Sequence, residues 1–236
     1  MAHTIETYGH QLFIEHNTVE KYLERVKGIE RKVGETVLLC SAFVVDADSI
    51  LEHRNKPKVG LEKLDQMLKE FSHTRLHTLK EVEKILNHVP DGLEVIEIAS
   101  RRVNIELKMG QIKLPERLKM IHTNANRRVR VTRNDRRMIN NDTRKISQHL
   151  SKAISYLNDV ISRDVKQARK EDNFRQDTVG KEFNNLSHAR GLIEWAEEAL
   201  KKELEHILVL ESHVKEVATL IEDEIKGVTI WSQRAA

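Results

Sequence analysis

The chain has 236 residues, 33% charged and 4% aromatic, with 9 glycines, 3 prolines and a net charge of +3. So few turn-forming residues argue against a β fold, which must reverse direction often. High charge with little punctuation is the profile of long helices. No run of about 18 apolar residues exists, so no integral membrane association is expected. The most apolar stretch, residues 37–45, is too short and has no signal-peptide pattern before it. The single Cys40 excludes an internal disulfide and a cysteine-based zinc site, and its expected role is small buried packing beside Leu38, Leu39 and Phe43. The expected location is cytoplasmic, and the sequons at Asn141 and Asn185 read as chance matches.

The first segment carries a seven-residue repeat. Ile5, Leu12, Val19, Val26, Val33, Cys40 and Ala47 form one register. Tyr8, Tyr22, Ile29, Phe43 and Ile50 fill most of a second, three residues on, with Glu15 and Thr36 as its exceptions. Two apolar registers per heptad make a seam along one helix face. Residues 53–57 and Gly60 read as a turn.

The second segment places Leu61, Leu64, Leu68, Phe71, Val82, Ile85 and Leu86 on one face. Pro90-Asp91-Gly92 interrupts it, and periodicity resumes with Leu93, Ile96, Val103 and Leu107, giving one kinked helix or two. The third begins near Pro115, suited to a first helical turn. Leu118, Ile121, Ala125, Ile139, Ile146, Leu150, Ala153, Leu157 and Val160 share a face. Between His122 and Asn141 the pattern thins, and five asparagines leave that stretch open to fraying or to a loop. In the fourth, Leu186, Ile193, Leu200, Ile207, Val214, Ile221 and Val228 repeat without a polar exception. Ala189, Ala196, Leu204, Leu210 and Ile225 widen that stripe, and residues 171–178 read as the polar link before it.

Four spans of similar length, residues 4–53, 61–113, 115–170 and 178–229, could each extend roughly 75 Å as helix. The expected fold is therefore all-α: an elongated antiparallel bundle of about four long helices with coiled-coil-like seams, the second helix interrupted at Pro90, forming one domain over residues 1–236.

Charge is unevenly distributed. Residues 117–145 hold ten Lys/Arg against two Asp, a net of +8, and residues 171–226 hold fourteen Asp/Glu against seven Lys/Arg, a net of −7. On a helix, Arg130, Arg133, Arg137 and Arg144 fall within roughly 60° of one another, nearly opposite Ile121, Ile139 and Ile146, with Arg127, Arg136 and Lys145 flanking them. Such a row could track phosphates by charge neutralisation and bidentate hydrogen bonds. With no aromatic residue from 127 to 145, contact with the nucleic-acid backbone is expected rather than base stacking. The competing reading is a solvated face, or one paired with the acidic fourth segment. Arg128 and Asp135 turn toward the apolar side and would form a polar layer.

Glu70-x-x-His73 and Glu203-x-x-His206 match the spacing of di-iron helical bundles, with Glu15 or Glu20 as candidates for the additional ligands. Helix phase opposes that site: Glu70, His73 and His77 point away from the apolar face, Glu203 lies at the edge of its stripe, and His206 turns further out. Phosphate-binding glycine loops, nucleophile elbows and the zinc-protease motif are absent. No catalytic residue, metal ligand or cofactor is assigned. The leading functional expectation is a non-enzymatic scaffold or adaptor that binds a protein partner or a second copy through its helical seams. Alternatives are backbone-directed binding of nucleic acid or another polyanion and, behind that, a di-iron enzyme. Trp231 is expected to follow the last helix and reads as end packing or a partner contact.

Overall fold

A computed structural model describes residues 2–52, 96–163 and 176–235, with positions 76–77, 79–80, 83–84 and 86–87. The fold is an all-α bundle. Helix α1 spans Ala2–Leu51, α2 Ile96–Met109, α3 Glu116–Arg163 and α4 Gln176–Ala235, and no strand occurs among the described residues. No described helix is long and apolar enough to cross a membrane. The expected turn at residues 53–60, the Pro90 interruption, the Glu70–His73 pair and residues 171–175 of the polar link lie outside the described residues.

The heptads explain these helices. Every position of both α1 registers is buried, including the two exceptions, Glu15 and Thr36. In α4 the uninterrupted register from Leu186 to Val228 is buried. The second α4 register keeps Ala189, Ala196 and Leu210 of the expected stripe but not Leu204 and Ile225. It runs Ala189, Ala196, Glu203, Leu210, Val217 and Glu224, all buried, while Leu204 and Ile225 are only half-buried.

In α2 the inward residues are Ile98, Arg102 and Ile105, whereas Val103 and Leu107 are 53% and 67% exposed. The expected phase fails because an inward arginine looks like surface in a one-dimensional pattern. The asparagine-rich part of α3 is helical throughout. Asn124, Asn134 and Asn141 face solvent, where their weak helix propensity costs only a few tenths of a kcal/mol each. Burial of Ala125, Val129 and Ile139 on the other side outweighs that cost.

Between α2 and α3 the chain reverses in a few residues. The Gly110 amide donates to the Glu106 carbonyl at 3.1 Å, and the Gln111 amide to the Lys108 carbonyl at 3.0 Å. The Pro115 carbonyl accepts the amides of Leu118 and Lys119, so this proline opens α3 at no cost in donors.

The described chain divides into two compact units. The first comprises Met1–Glu30, Pro90–Asn140 and Glu205–Ala236, and the second Arg31–Val89 and Asn141–Leu204. The first has an apolar core of Ile5, Tyr8, Leu12, Ile105, Leu114, Leu118 and Val228. In the second, Phe43, Leu150, Leu157 and Ile193 are buried. There Arg190 clamps Asp48 with two hydrogen bonds, of 2.8 and 3.0 Å, and His149 stacks on Trp195 with ring centres 3.8 Å apart.

In the first unit α4 packs tightly on α3 at Gly227. A methyl group there would overlap the Leu118 side chain, which is itself in the core. Gly227→Ala should therefore destabilise the protein by about 1–3 kcal/mol, although alanine is the better helix former. Urea unfolding would read this as a lowered midpoint.

Candidate functional site

The chain places a row of arginines outside the first unit and one arginine inside it. On the outer face of α3, Arg127, Arg130, Arg133 and Arg137 are exposed, as are Asn124 and Asn134 between them. Among the described residues Arg127, Arg130, Arg133 and Arg137 form no ion pair or hydrogen bond. Arg144 and Lys145 are also exposed but belong to the second unit, where Lys145 lies 3.9 Å from Asp142. Arg136 differs from the rest of the set: it is half-buried at a register position of α3, with its Nε atom enclosed and unpartnered.

Arg128 and Asp135 do turn toward the bundle, but each pairs with α4. Arg128 reaches Glu216 at 2.5 Å, and His213 Nδ1 lies 2.7 Å from Asp135. The acidic fourth helix thus engages the inner edge of the basic stretch and leaves its outer row open. A shallow cleft of about 800 Å³ runs beside that edge, lined by Arg127, Arg128, Lys215 and Glu216 among others.

The interior arginine is Arg102, 3% exposed, on α2. Its Nη1 donates to Glu15 at 2.9 Å and to Glu224 at 3.2 Å. Its Nη2 donates to the His122 carbonyl at 3.2 Å and to Glu224 at 3.3 Å, and its Nε to Asn126 at 2.6 Å. A guanidinium carries five N–H groups in a fixed fork, and here each has an acceptor. The network extends outward, because Asn126 donates to Glu106 at 2.5 Å.

Glu224 is the anion on which the donors converge. Its Oε1 accepts the Tyr8 hydroxyl at 2.5 Å and lies 2.6 Å from His122 Nδ1, while its Oε2 faces Arg102. His122 Nδ1 is also 3.0 Å from Arg102 Nη2, which can only donate. A proton on Nδ1, given to Glu224, satisfies the carboxylate, and Nε2 is buried without a partner.

The two carboxyls respond in opposite directions. Burial opposes ionisation of Glu224, but the His122 hydrogen bond, the Arg102 charge and the Tyr8 hydrogen bond together hold its carboxyl below the ordinary range. Glu15 has fewer donors. Burial and the Glu224 charge push it from the ordinary 4.5 up to about 8, against the pull of Arg102 and Arg101. The Tyr8 hydroxyl is driven up by burial and by Glu224. The interior thus pairs Arg102 with an ionised Glu224 and favours the protonated form of Glu15.

In the second unit Glu203 is buried, not at the edge of its stripe, and accepts the Thr143 hydroxyl at 2.9 Å. Burial again raises it to about 8, with Thr143 opposing. Glu20 is exposed, Glu15 is held by Arg102, and His206 is half-buried in the first unit. Cys40 is fully buried, and burial with the nearby Glu197 charge pushes its thiol up to about 12, far from the thiolate a nucleophile requires.

Sequence reasoning missed Arg102, His122, Asn126 and Glu224. One signal pointed to the layer, the acidic exception at Glu15. A buried acidic side chain in a seam requires hydrogen-bond donors on a neighbouring helix. No known family model, curated protein or solved structure matches the chain.

Replacing Arg102 with Met should cost about 3–5 kcal/mol, because the ionised Glu224 would be left buried without its cation. Chemical denaturation measures that loss.

The raised carboxyls also set a pH dependence. Their folded values lie above the unfolded 4.5, so their stabilising contribution is complete below about pH 4.5 and is lost as pH rises toward 8. The protein should melt at a higher temperature at pH 5 than at pH 8.5, and the double variant Glu15→Gln/Glu203→Gln should reduce that difference.

Proposed function

We propose that this chain is a non-enzymatic interaction protein, a helical scaffold whose main contact surface is the outer face of α3 in the first unit. The partner proposed for that face is the phosphate backbone of a nucleic acid. The observation carrying the reading is the exposed row Arg127, Arg130, Arg133 and Arg137, which has no ion-pair partner among the described residues. Exposed Asn124 and Asn134 add amide donors along the same helix. From residue 117 to 137 the only acidic residue is Asp135, and it is half-buried beside His213. A face of cationic donors without an exposed carboxylate suits phosphate oxygens, and the absence of aromatic residues there favours backbone contact without base readout.

The scaffold part of the reading rests on the interior. Arg102, Glu15, Glu224 and His122 are engaged with one another in the core, as a polar layer that fixes helix register would require. A cytoplasmic setting accords with the single thiol.

Duplex DNA and RNA titrated at about 50 and 200 mM salt test the proposal. Binding should weaken by about a thousandfold across that range if six or more phosphates are engaged, and Arg130→Ala/Arg133→Ala/Arg137→Ala should abolish it. Binding that is insensitive to salt, or intact in the triple variant, would refute it.

A second reading is supported by Leu38 and Val45, seven residues apart on α1 in the second unit and 70% and 67% exposed. They form an apolar strip suited to a helix from a protein partner or a second copy. Leu38→Lys/Val45→Lys should then reduce any oligomer seen by sedimentation to monomer without loss of helicity.

A further inference from the structure

We propose that the groove between the first turns of α3 and the last turns of α4 binds a small amphipathic anion, with an apolar body on Trp231 and its acidic head between Arg117 and Arg234. The groove lies within the first unit and encloses about 490 Å³, within the range of small-molecule sites. Leu118, Ile121, Ile230 and Trp231 supply its apolar lining.

Two observations set this lining apart from ordinary surface. Trp231 and Ile121 pack against the core on one side and remain open to the groove on the other. Ile230 is 52% exposed at its rim, so apolar surface is left uncovered. Gly227 lines the groove without a side chain, and a Cβ there would overlap Leu118, another lining residue.

Charge decides the class of occupant. Arg117, Lys226 and Arg234 line the groove against one acid, Asp223. Lys226 is engaged by Glu222 at 2.8 Å and by Asp223 at 4.0 Å. Arg117 and Arg234 are exposed, come from different helices, and have no partner among the described residues. With Glu222 counted beside Asp223, the three cations still leave the groove with a net positive charge. A cationic or uncharged amphiphile gains only the apolar contacts, whereas an acyl or aromatic carboxylate or phosphate gains both. Trp231 can also stack on an aromatic body.

The chemistry fits a free monomeric ligand or a lipid headgroup, and the proposal commits to the free ligand. The test uses the full chain carrying Trp195→Phe, so that Trp231 is the remaining tryptophan. Dodecanoate, kept below its micellar concentration, is titrated against Trp231 fluorescence, beside dodecyltrimethylammonium, dodecanol and vesicles of anionic phospholipid. The expected result is saturable binding of dodecanoate, weaker binding of the other two amphiphiles, and a loss of about tenfold or more in affinity for Arg117→Gln/Arg234→Gln. Both arginines are exposed, so the variant should keep its helical circular dichroism, which is checked in parallel. Equal binding of the cationic amphiphile, an unchanged affinity in the variant, or a response to vesicles alone would overturn the proposal.

Discussion

The guanidinium of Arg102 is the constraint around which the first unit is organised. A buried cation is costly to desolvate, and a cluster of this kind holds only when every donor is met. The acceptors come from α1, α3 and α4: Glu15, Asn126 and the His122 carbonyl, and Glu224. A one-residue slip of any of these helices would withdraw an acceptor and strand a charge. Apolar seams alone tolerate such slips far better, because one leucine resembles the next. The layer therefore favours one alignment of the apolar heptads, as a single polar seam residue does in coiled coils.

A related, weaker layer lies in the second unit. Counting three heptads from Glu15, His122 and Glu224 along their own helices leads to Thr36, Thr143 and Glu203. All three are buried, and Thr143 donates to Glu203. The same register positions thus carry polar groups twice. The first layer holds an ion pair, while in the second a raised carboxyl is met by a hydroxyl.

The fold was legible because the heptads of α1 and α4 are long and nearly uninterrupted. What hid the polar layers was the same pattern. In α4 the register from Leu186 to Val228 is so regular that half-buried Leu204 and Ile225 pass for its companions, and Glu203 and Glu224 between them pass for surface. In α2 exposed Val103 and Leu107 imitate a core face, so inward Arg102 pairs with nothing in a linear reading. Long-range partners such as Arg102 and Glu224, 122 residues apart, emerge only once the helices are placed. The arginine row of α3 was legible because its members share one helical phase. Which of them the acidic helix engages was not: Arg128 reaches Glu216, and the outer row is left open. The asparagines misled because propensity is a weak force beside burial of Val129 and Ile139.

The most direct test is a carbon-13 titration of the glutamate carboxyls, with Glu15 and Glu224 assigned by substitution. The account predicts that Glu224 stays ionised below the ordinary carboxyl range, held by Arg102, His122 and Tyr8, while Glu15 takes up its proton near pH 8. Two carboxyls titrating together near 4.5 would mean that water reaches both, and the buried layer with the helix alignment derived from it would be wrong.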